Sequence, residues 1–276
     1  MAHVRLLLST GRVSTQNIAS ILARALPDAI VEHEGMGPDY FSRRVFRAPR
    51  QLRLVLGQNV ALQRKLITIE DQVAAGTDYI DVGWPNYAWL PYLSERFGPH
   101  LTFMHLVRNP FHVAASLTTH GLFVSSEKKP SPFEKRAMVH AEDRSVFYKD
   151  VAKYSAEFSA FERNLFHWLE LNQFALEQHS LNGFLGLARY EDLYAEADPL
   201  IAPFLTRFSG HDIVVPASPP VDKVQRTLST KLTAVHPVLL AAVQELAERL
   251  GYGAQELQDA FDLDLLAEKY SKKRLG

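Results

Sequence analysis

Five short apolar segments, separated by longer segments with helical patterning, constrain the fold of this chain most strongly. Each is six to eight residues long and ends at a turn or a charged residue, which is typical of a buried parallel strand. Strands that alternate with helices in this way predict an α/β fold, in which one parallel sheet is flanked by helices on both faces. The predicted strands are 3–10, 29–34, 77–83, 101–108 and 183–190.

Helical patterning fills the stretches between these strands. The first helix is predicted at 15–26, and Asn109 and Pro110 begin another directly after the fourth strand, as its N-cap and first residue. We predict a single domain over residues 1–276, with irregular segments at 125–132 and 217–231. The other predicted helical segments are 52–75, 87–97, 133–178 and 237–250.

Composition excludes several classes of function. The 276 residues carry a formal net charge of -1 and contain no cysteine. A basic nucleic-acid-binding surface is therefore not expected, and disulfide scaffolds and thiol catalysis are excluded. No apolar run approaches the roughly 18 residues that span a bilayer, and the N-terminus lacks the apolar core of a secretory signal. These features indicate a soluble, cytoplasmic protein that binds no nucleic acid and has no membrane span.

The first strand runs directly into a polar loop and a helix, in the stretch LLLSTGRVSTQNIASIL at 6–22. Backbone N–H groups at a helix N-terminus bind anions, and Arg12, Ser14 and Thr15 would add a positive charge and two hydroxyls. Gly11 permits a tight turn. The loop lacks the Gly-Lys-Ser/Thr ending of an ATP-binding P-loop. By itself, this stretch predicts either an anion site or an ordinary helix cap.

A second motif follows the fourth strand, in the stretch HLVRNPFHVAASL at 105–117. Arg108 stands at the strand end, and Ser116 lies eight residues later on the next helix. A guanidinium and a hydroxyl placed in this way can hold one phosphate between them. The alternative is that Arg108 pairs with a carboxylate and Ser116 only packs. Because the carboxyl ends of parallel strands share one edge of the sheet, we expect the two motifs to meet there.

Together the two motifs resemble those of the sulfotransferase family, whose members bind 3′-phosphoadenosine 5′-phosphosulfate (PAPS). The family's first loop has a pattern like G-x-R/K-S-G-T-T, and its later motif is like R-D-P followed by a serine. This chain departs from the pattern at Ser14, where glycine is usual, and at Gln16, where a second hydroxyl is common. The resemblance extends from residue 6 to about residue 252 and implies a P-loop-like sulfotransferase architecture. Three further similar segments are FERNLFHW at 161–168, ARYEDL at 188–193 and RFSG at 207–210.

The resemblance also implies which residues bind each part of PAPS. The 3′-phosphate would lie against Arg108 and Ser116, and the Tyr190 ring would lie against the adenine. Lys223 and Arg226, before the last predicted helix, would add positive charge near the 3′-phosphate. The 5′-phosphosulfate would lie in the first loop, formed by Gly11, Arg12, Val13, Ser14, Thr15 and Gln16.

The resemblance implies two catalytic roles. Arg12 would stabilise the charge that develops on the leaving phosphate. The base that takes the proton of the acceptor is expected at the end of the second strand. Glu34 is the first candidate, because strand alternation puts Glu32 on the same face, where a second carboxylate would raise its pKa. His33, on the opposite face, is the alternative.

The sequence therefore predicts a sulfotransferase that moves a sulfuryl group from PAPS to a hydroxyl of a small molecule, a sugar or a lipid. An amine is the alternative acceptor. No convincing spacing of metal ligands is present, so a transfer without a metal ion is expected. Two other functions remain open: a P-loop kinase that uses ATP and magnesium, and a nucleotide-binding protein without turnover.

Overall fold

The computed structural model describes residues 2–36, 42–124, 131–215, 232 and 234–271. Within this part of the chain, five parallel strands form one sheet in the order β2-β3-β1-β4-β5. Each observed strand lies inside a predicted one, and the predicted α/β fold with a parallel sheet flanked by helices is confirmed. The strands are β1 (Val4–Leu8), β2 (Ile30–His33), β3 (Tyr79–Val82), β4 (Leu101–Val107) and β5 (Phe184–Arg189).

The register of the sheet brings the carboxyl ends of the strands to one edge. The central strand β1 pairs with β3 on one side and with β4 on the other. His33 lies opposite Val82 at the ends of β2 and β3, and Val107 lies opposite Arg189 at the ends of β4 and β5. Because every pair is parallel, the loops that follow these residues gather beside the loop that leaves β1.

Helices follow or separate the strands. They are α1 (Thr15–Ala25), α2 (Arg44–Arg47), α3 (Pro49–Gln58), α4 (Val60–Ala74), α5 (Asn86–Phe97), α6 (Pro110–Thr119), α7 (Pro132–Ala137), α8 (Lys149–Ala152), α9 (Ala160–Glu177), α10 (Tyr190–Leu193), α11 (Ile201–Ser209), α12 (Pro237–Arg249), α13 (Ala254–Ala260) and α14 (Leu263–Ser271).

Both faces of the sheet are buried under these helices. On one face, Leu7 and Ile80 pack against α1 and α11 in a single apolar cluster. On the other face, Leu6 and Phe103 belong to a larger cluster with α4, α5, α6, α9 and α12. Since strand side chains alternate between faces, an almost continuously apolar strand is what two covered faces require.

Two of the predicted helical segments are wrong as continuous helices. The segment 52–75 is interrupted at Asn59, which has an extended backbone and accepts the N–H of Leu62 as the N-cap of α4. The segment 133–178 contains short helices and loops before α9 begins. A capping box formed by Ser159 and Glu162 fixes the start of α9. In both cases a side chain that accepts a backbone N–H group begins a new helix.

The predicted start of α6 is confirmed. The side chain of Asn109 accepts the N–H of Phe111 at 3.1 Å, and Pro110 is the first helical residue. The backbone N–H of Asn109 donates to Glu191 Oε1 at 3.0 Å, so α10 holds the loop between β4 and α6. This connection fixes the direction in which α6 leaves the sheet edge.

Candidate functional site

The loop that joins β1 to α1 has a strained backbone. Gly11, Arg12 and Ser14 lie in the left-handed region, with φ angles of 74°, 61° and 59°. Glycine adopts this region without steric cost, whereas a residue with a Cβ pays roughly 1–2 kcal/mol. Gly11 also lies against Trp84, whose Cγ is 3.6 Å from the point that a Cβ of residue 11 would occupy. Backbone strain of this kind persists where neighbouring structure imposes it, and it is concentrated at functional sites.

The two hydroxyls at the start of α1 do not act as helix caps. Within the described part of the chain, Ser14 makes no side-chain capping hydrogen bond to the first turn of α1. Thr15 Oγ1 lies 3.0 Å from His33 Nε2 at the end of β2. These two hydroxyls therefore do not satisfy the first N–H groups of α1, which have no partner within the helix. This arrangement favours an anion at the N-terminus of α1 over the helix-cap alternative.

The two sequence motifs meet at the sheet edge through Arg12. Its Nε donates a hydrogen bond to Ser116 Oγ at 2.8 Å, which joins the first loop to α6. Its backbone carbonyl accepts a hydrogen bond from Arg108 Nη1 at 2.6 Å, which joins the same loop to the end of β4. Ser116 is 5% exposed, so its hydroxyl lies in a largely dry environment. The structure therefore brings two guanidinium groups and one hydroxyl together in a single small region.

The Arg108 side chain is fixed by its surroundings. Its guanidinium carbon lies 4.3 Å from the centre of the Tyr190 ring, in cation–π geometry. Its backbone carbonyl accepts the indole N–H of Trp168 at 3.0 Å, so α9 supports the strand end from behind. The Arg108 Nε is buried and has no hydrogen-bond partner among the described residues. A buried donor without a partner is costly, which favours a ligand that would complete this site.

His33 and Glu34 approach each other beyond the end of β2. The strand ends at His33, and Glu34 has a φ angle of 56°. His33 Nε2 consequently lies 3.9 Å from Glu34 Oε1 and 3.0 Å from Thr15 Oγ1. The prediction that strand alternation separates these two side chains is wrong, because a left-handed residue breaks the alternation. Both candidate bases thus lie beside the start of α1.

Glu32 lies apart from this pair in a separate polar cluster. Its Oε2 accepts hydrogen bonds from Lys65 Nζ and from the Tyr79 hydroxyl, each at 2.5 Å. The prediction that Glu32 and Glu34 share one face is wrong for the same backbone reason. Glu32 is therefore part of the link between β2, β3 and α4, and the two candidate bases that lie together are His33 and Glu34.

Sequence reasoning missed a buried carboxylate that holds the turn after β2. Asp81 lies in β3 and is 0% exposed. Its two oxygens accept the backbone N–H groups of Gly35 at 3.2 Å and Met36 at 3.0 Å. Burial raises the pKa of Asp81 to about 6. The available signal was a single acidic residue inside an otherwise apolar strand, which demands a partner when buried.

The remaining predicted residues have different positions. The Val13 side chain is fully buried in the apolar cluster under α1, so only its backbone can face a ligand. Gln16 is exposed on the first turn of α1. Lys223 and Arg226 lie outside the described residues, and their proposed contact with the 3′-phosphate stays a prediction.

The described residues contain neither a group of metal ligands nor a membrane-spanning helix. In residues 2–36, 42–124, 131–215, 232 and 234–271, no group of three His, Asp or Glu side chains is arranged to hold a metal ion. In the same part of the chain, no helix has the length and apolar character needed to cross a membrane.

Two solved structures are similar to this chain over most of its length. The sulfotransferase domain from the Synechococcus PCC 7002 olefin synthase has 14% sequence identity and a TM-score of 0.46, covering 91% of this chain and 96% of that one. The sulfotransferase domain from the curacin biosynthetic pathway has 17% identity and a TM-score of 0.40, covering 100% and 92%. No protein-family model and no curated protein sequence matches the chain. Both domains carry the family name that the motifs suggest, but at TM-scores below 0.5 this likeness supports no argument about the site.

Proposed function

We propose that this protein is a sulfotransferase, which moves a sulfuryl group from PAPS to a hydroxyl of a small molecule, a sugar or a lipid. The observation that carries this proposal is the hydrogen bond of 2.8 Å between Arg12 and Ser116, two residues 104 positions apart. It joins two motifs, each of which is a candidate for holding an anion in the sequence. A donor with two separate phosphate groups requires two such sites side by side.

The residues at this edge suit the chemistry of the donor. Arginine stays protonated at every ordinary pH and binds phosphate oxygens in a bidentate manner, so Arg12 and Arg108 supply permanent positive charge. Ser116 supplies a hydroxyl beside them, and the N-terminus of α1 supplies backbone N–H groups. Tyr190, which already stacks on Arg108, offers an aromatic face for the adenine. When bound, PAPS would supply the activated sulfuryl group and a bisphosphate leaving group.

In this proposal, three side chains carry the transfer. Arg12 stabilises negative charge on the leaving phosphate without giving up its proton. Glu34 takes the proton of the acceptor hydroxyl, and His33 is the alternative base because its ring lies 3.9 Å from the Glu34 carboxylate.

Two other functions are kept as outcomes of the test. A P-loop kinase would use ATP and magnesium, but the stretch at 6–22 contains no lysine and hence no Gly-Lys-Ser/Thr ending. A nucleotide-binding protein without turnover would bind the bisphosphate and transfer nothing. Cytoplasmic localisation and one domain over residues 1–276 stay predictions from the sequence.

Transfer of labelled sulfate from PAPS to an acceptor tests the proposed function. We would supply the donor with a panel of hydroxyl acceptors that includes a phenol, a long-chain alcohol and a monosaccharide. Glu34→Gln is expected to lower kcat by about a hundredfold or more, since general bases contribute that much. The control is Glu70→Gln, which removes a carboxylate paired with Arg96 between α4 and α5. If Glu34→Gln keeps full turnover and His33→Asn loses turnover, His33 is the base and Glu34 is not.

A further inference from the structure

The backbone turn after β2 is held mainly by β3, while Lys65 of α4 donates a hydrogen bond to the Gly35 carbonyl. Asp81 accepts the N–H groups of Gly35 and Met36, the two residues that follow Glu34. On the other side, the N–H of Glu34 donates to the Val82 carbonyl at 3.3 Å. The turn is therefore anchored at three consecutive backbone N–H groups, and the first of these residues, Glu34, lies in the left-handed region at a φ angle of 56°.

Gly83 permits this close approach between the two strand ends. A Cβ at residue 83 would come within 2.8 Å of Glu34 Cγ and 2.9 Å of Glu34 Cα. Both contacts are shorter than real Cβ atoms adopt, so any side chain here would displace Glu34. Two features of β3, the Asp81 carboxylate and the bare backbone of Gly83, thus decide where the Glu34 carboxylate lies.

We propose that Asp81 is a positioning residue for the proposed catalytic base, holding the left-handed turn that brings Glu34 beside His33. This inference rests on the proposed function for the role of Glu34. Without the bonds from Asp81, an extended conformation is the preferred backbone state of Glu34. In that state strand alternation would separate the Glu34 side chain from the His33 ring.

The charges around Asp81 support this role. Burial raises the pKa of Asp81 to about 6, and the nearby Glu32 carboxylate acts in the same direction, while Lys65 opposes it. The Tyr79 hydroxyl also faces this cluster, and burial raises its pKa well above 10. Asp81 is consequently ionised at neutral pH and accepts both N–H groups. Below about pH 6, protonation of Asp81 converts one acceptor oxygen into a donor. One of the two backbone N–H groups then loses its hydrogen bond to Asp81.

Amide hydrogen exchange tests the turn without any turnover. Asp81→Asn keeps one carbonyl oxygen but turns an NH₂ group toward the second backbone N–H, so one hydrogen bond is lost. We expect the amides of Gly35 and Met36 to exchange about ten- to a hundredfold faster in this variant, because a bond to a charged acceptor is lost. Unchanged exchange at both amides would overturn the inference, whatever the protein catalyses.

The kinetic test uses PAPS and whichever panel acceptor gives the highest turnover. Asp81→Asn should lower kcat at least tenfold and leave the KM for PAPS within twofold, because Arg12, Ser116 and Arg108 are untouched. The matched control is Glu170→Gln. Glu170 is also a fully buried carboxylate that accepts two consecutive backbone N–H groups. It lies on α9, so its replacement should change stability but not kcat.

A double variant separates positioning from general damage. If Asp81 acts through Glu34, the kcat of Asp81→Asn/Glu34→Gln equals that of Glu34→Gln alone, since the positioned group is already absent. The inference would be overturned if the kcat loss of the double variant were the product of the two single losses. It would also be overturned if Glu170→Gln lost as much kcat as Asp81→Asn. Absence of sulfuryl transfer in the unaltered protein would instead reject the proposed function, and the exchange experiment would still decide whether Asp81 holds the turn.

Discussion

Arg12 and Ser116 form a hydrogen bond of 2.8 Å between the first loop and α6, so the two halves of the proposed donor site already contact each other. Arg108 reinforces the contact through the Arg12 carbonyl. An anion at this edge would therefore meet a preorganised pair of cations, which lowers the entropy cost of binding.

Removing the Ser116 hydroxyl should weaken binding of 3′-phosphoadenosine 5′-phosphate (PAP). Ser116→Ala deletes both a phosphate partner and the acceptor for Arg12, and hydrogen bonds to charged groups are worth about 1.5–3 kcal/mol. We expect Kd, measured by calorimetry, to rise about tenfold or more. Thr119→Ala is the control, because it removes another hydroxyl of α6, which donates to the Ser116 backbone carbonyl at 2.7 Å and lies 3.3 Å from His120 Nδ1. Equal effects of the two substitutions would argue against a donor contact by Ser116.

Arg108→Gln should also weaken PAP binding, by at least tenfold, because it removes a permanent charge from the proposed 3′-phosphate site. The comparison variant is Arg189→Gln at the end of the adjacent strand. Arg189 lies over the Tyr252 ring as Arg108 lies over Tyr190, but its guanidinium pairs with Asp192 and Glu256. Arg189→Gln should lower the melting temperature and leave the Kd for PAP unchanged. Calorimetry and thermal unfolding of both variants distinguish a binding charge from a structural one.

Ser14→Gly should stabilise the fold despite the loss of a side chain. Ser14 has φ and ψ angles of 59° and 28°, a conformation that glycine adopts freely and serine does not. We expect the free energy of unfolding to rise by up to about 1 kcal/mol, as urea denaturation would show. Ser20→Gly, at an exposed position within α1, should lower it by about 0.5–1 kcal/mol. A loss of stability at both positions would mean that the Ser14 side chain stabilises the fold by more than its left-handed backbone costs.

Glu170 should make stability decrease as pH rises. Burial raises the pKa of Glu170 from 4.5 to about 7, so the folded state retains a proton that the unfolded state releases. Its stabilising contribution is fully present below about pH 4.5 and is lost as pH rises through about 7. Glu170→Gln cannot ionise, and it should gain stability relative to the unaltered protein over this window, by on the order of 2–3 kcal/mol. Urea midpoints at pH 5 and pH 7.5 measure this difference, and a constant difference would contradict it.

The strands and their common edge could be predicted because each strand is a short apolar run that a parallel sheet with two buried faces requires. The pairing of the first loop with the Arg108–Ser116 motif follows from that edge alone. The N-cap at Asn109 could also be predicted, because asparagine followed by proline is a local signal for the start of a helix. The tertiary structure keeps that start.

The conformation of the segment around Glu34 could not be predicted, because it depends on contacts from β3. Strand alternation assumes an extended backbone, and Glu34 leaves that state only where Asp81 and Gly83 hold it. The breaks in the long predicted helices have a similar origin. Asn59 and Ser159 begin new helices in the middle of patterns whose apolar spacing continues past them.

Binding of PAP compared with ATP and magnesium tests the central claim most directly. A ligand that binds only the folded state raises its unfolding temperature, by an amount set by its concentration relative to Kd. We predict a rise with PAP that magnesium does not change and that is smaller in Ser116→Ala and Arg108→Gln. A rise only with ATP and magnesium, or an equal rise with PAP in both variants, would contradict the proposed donor site.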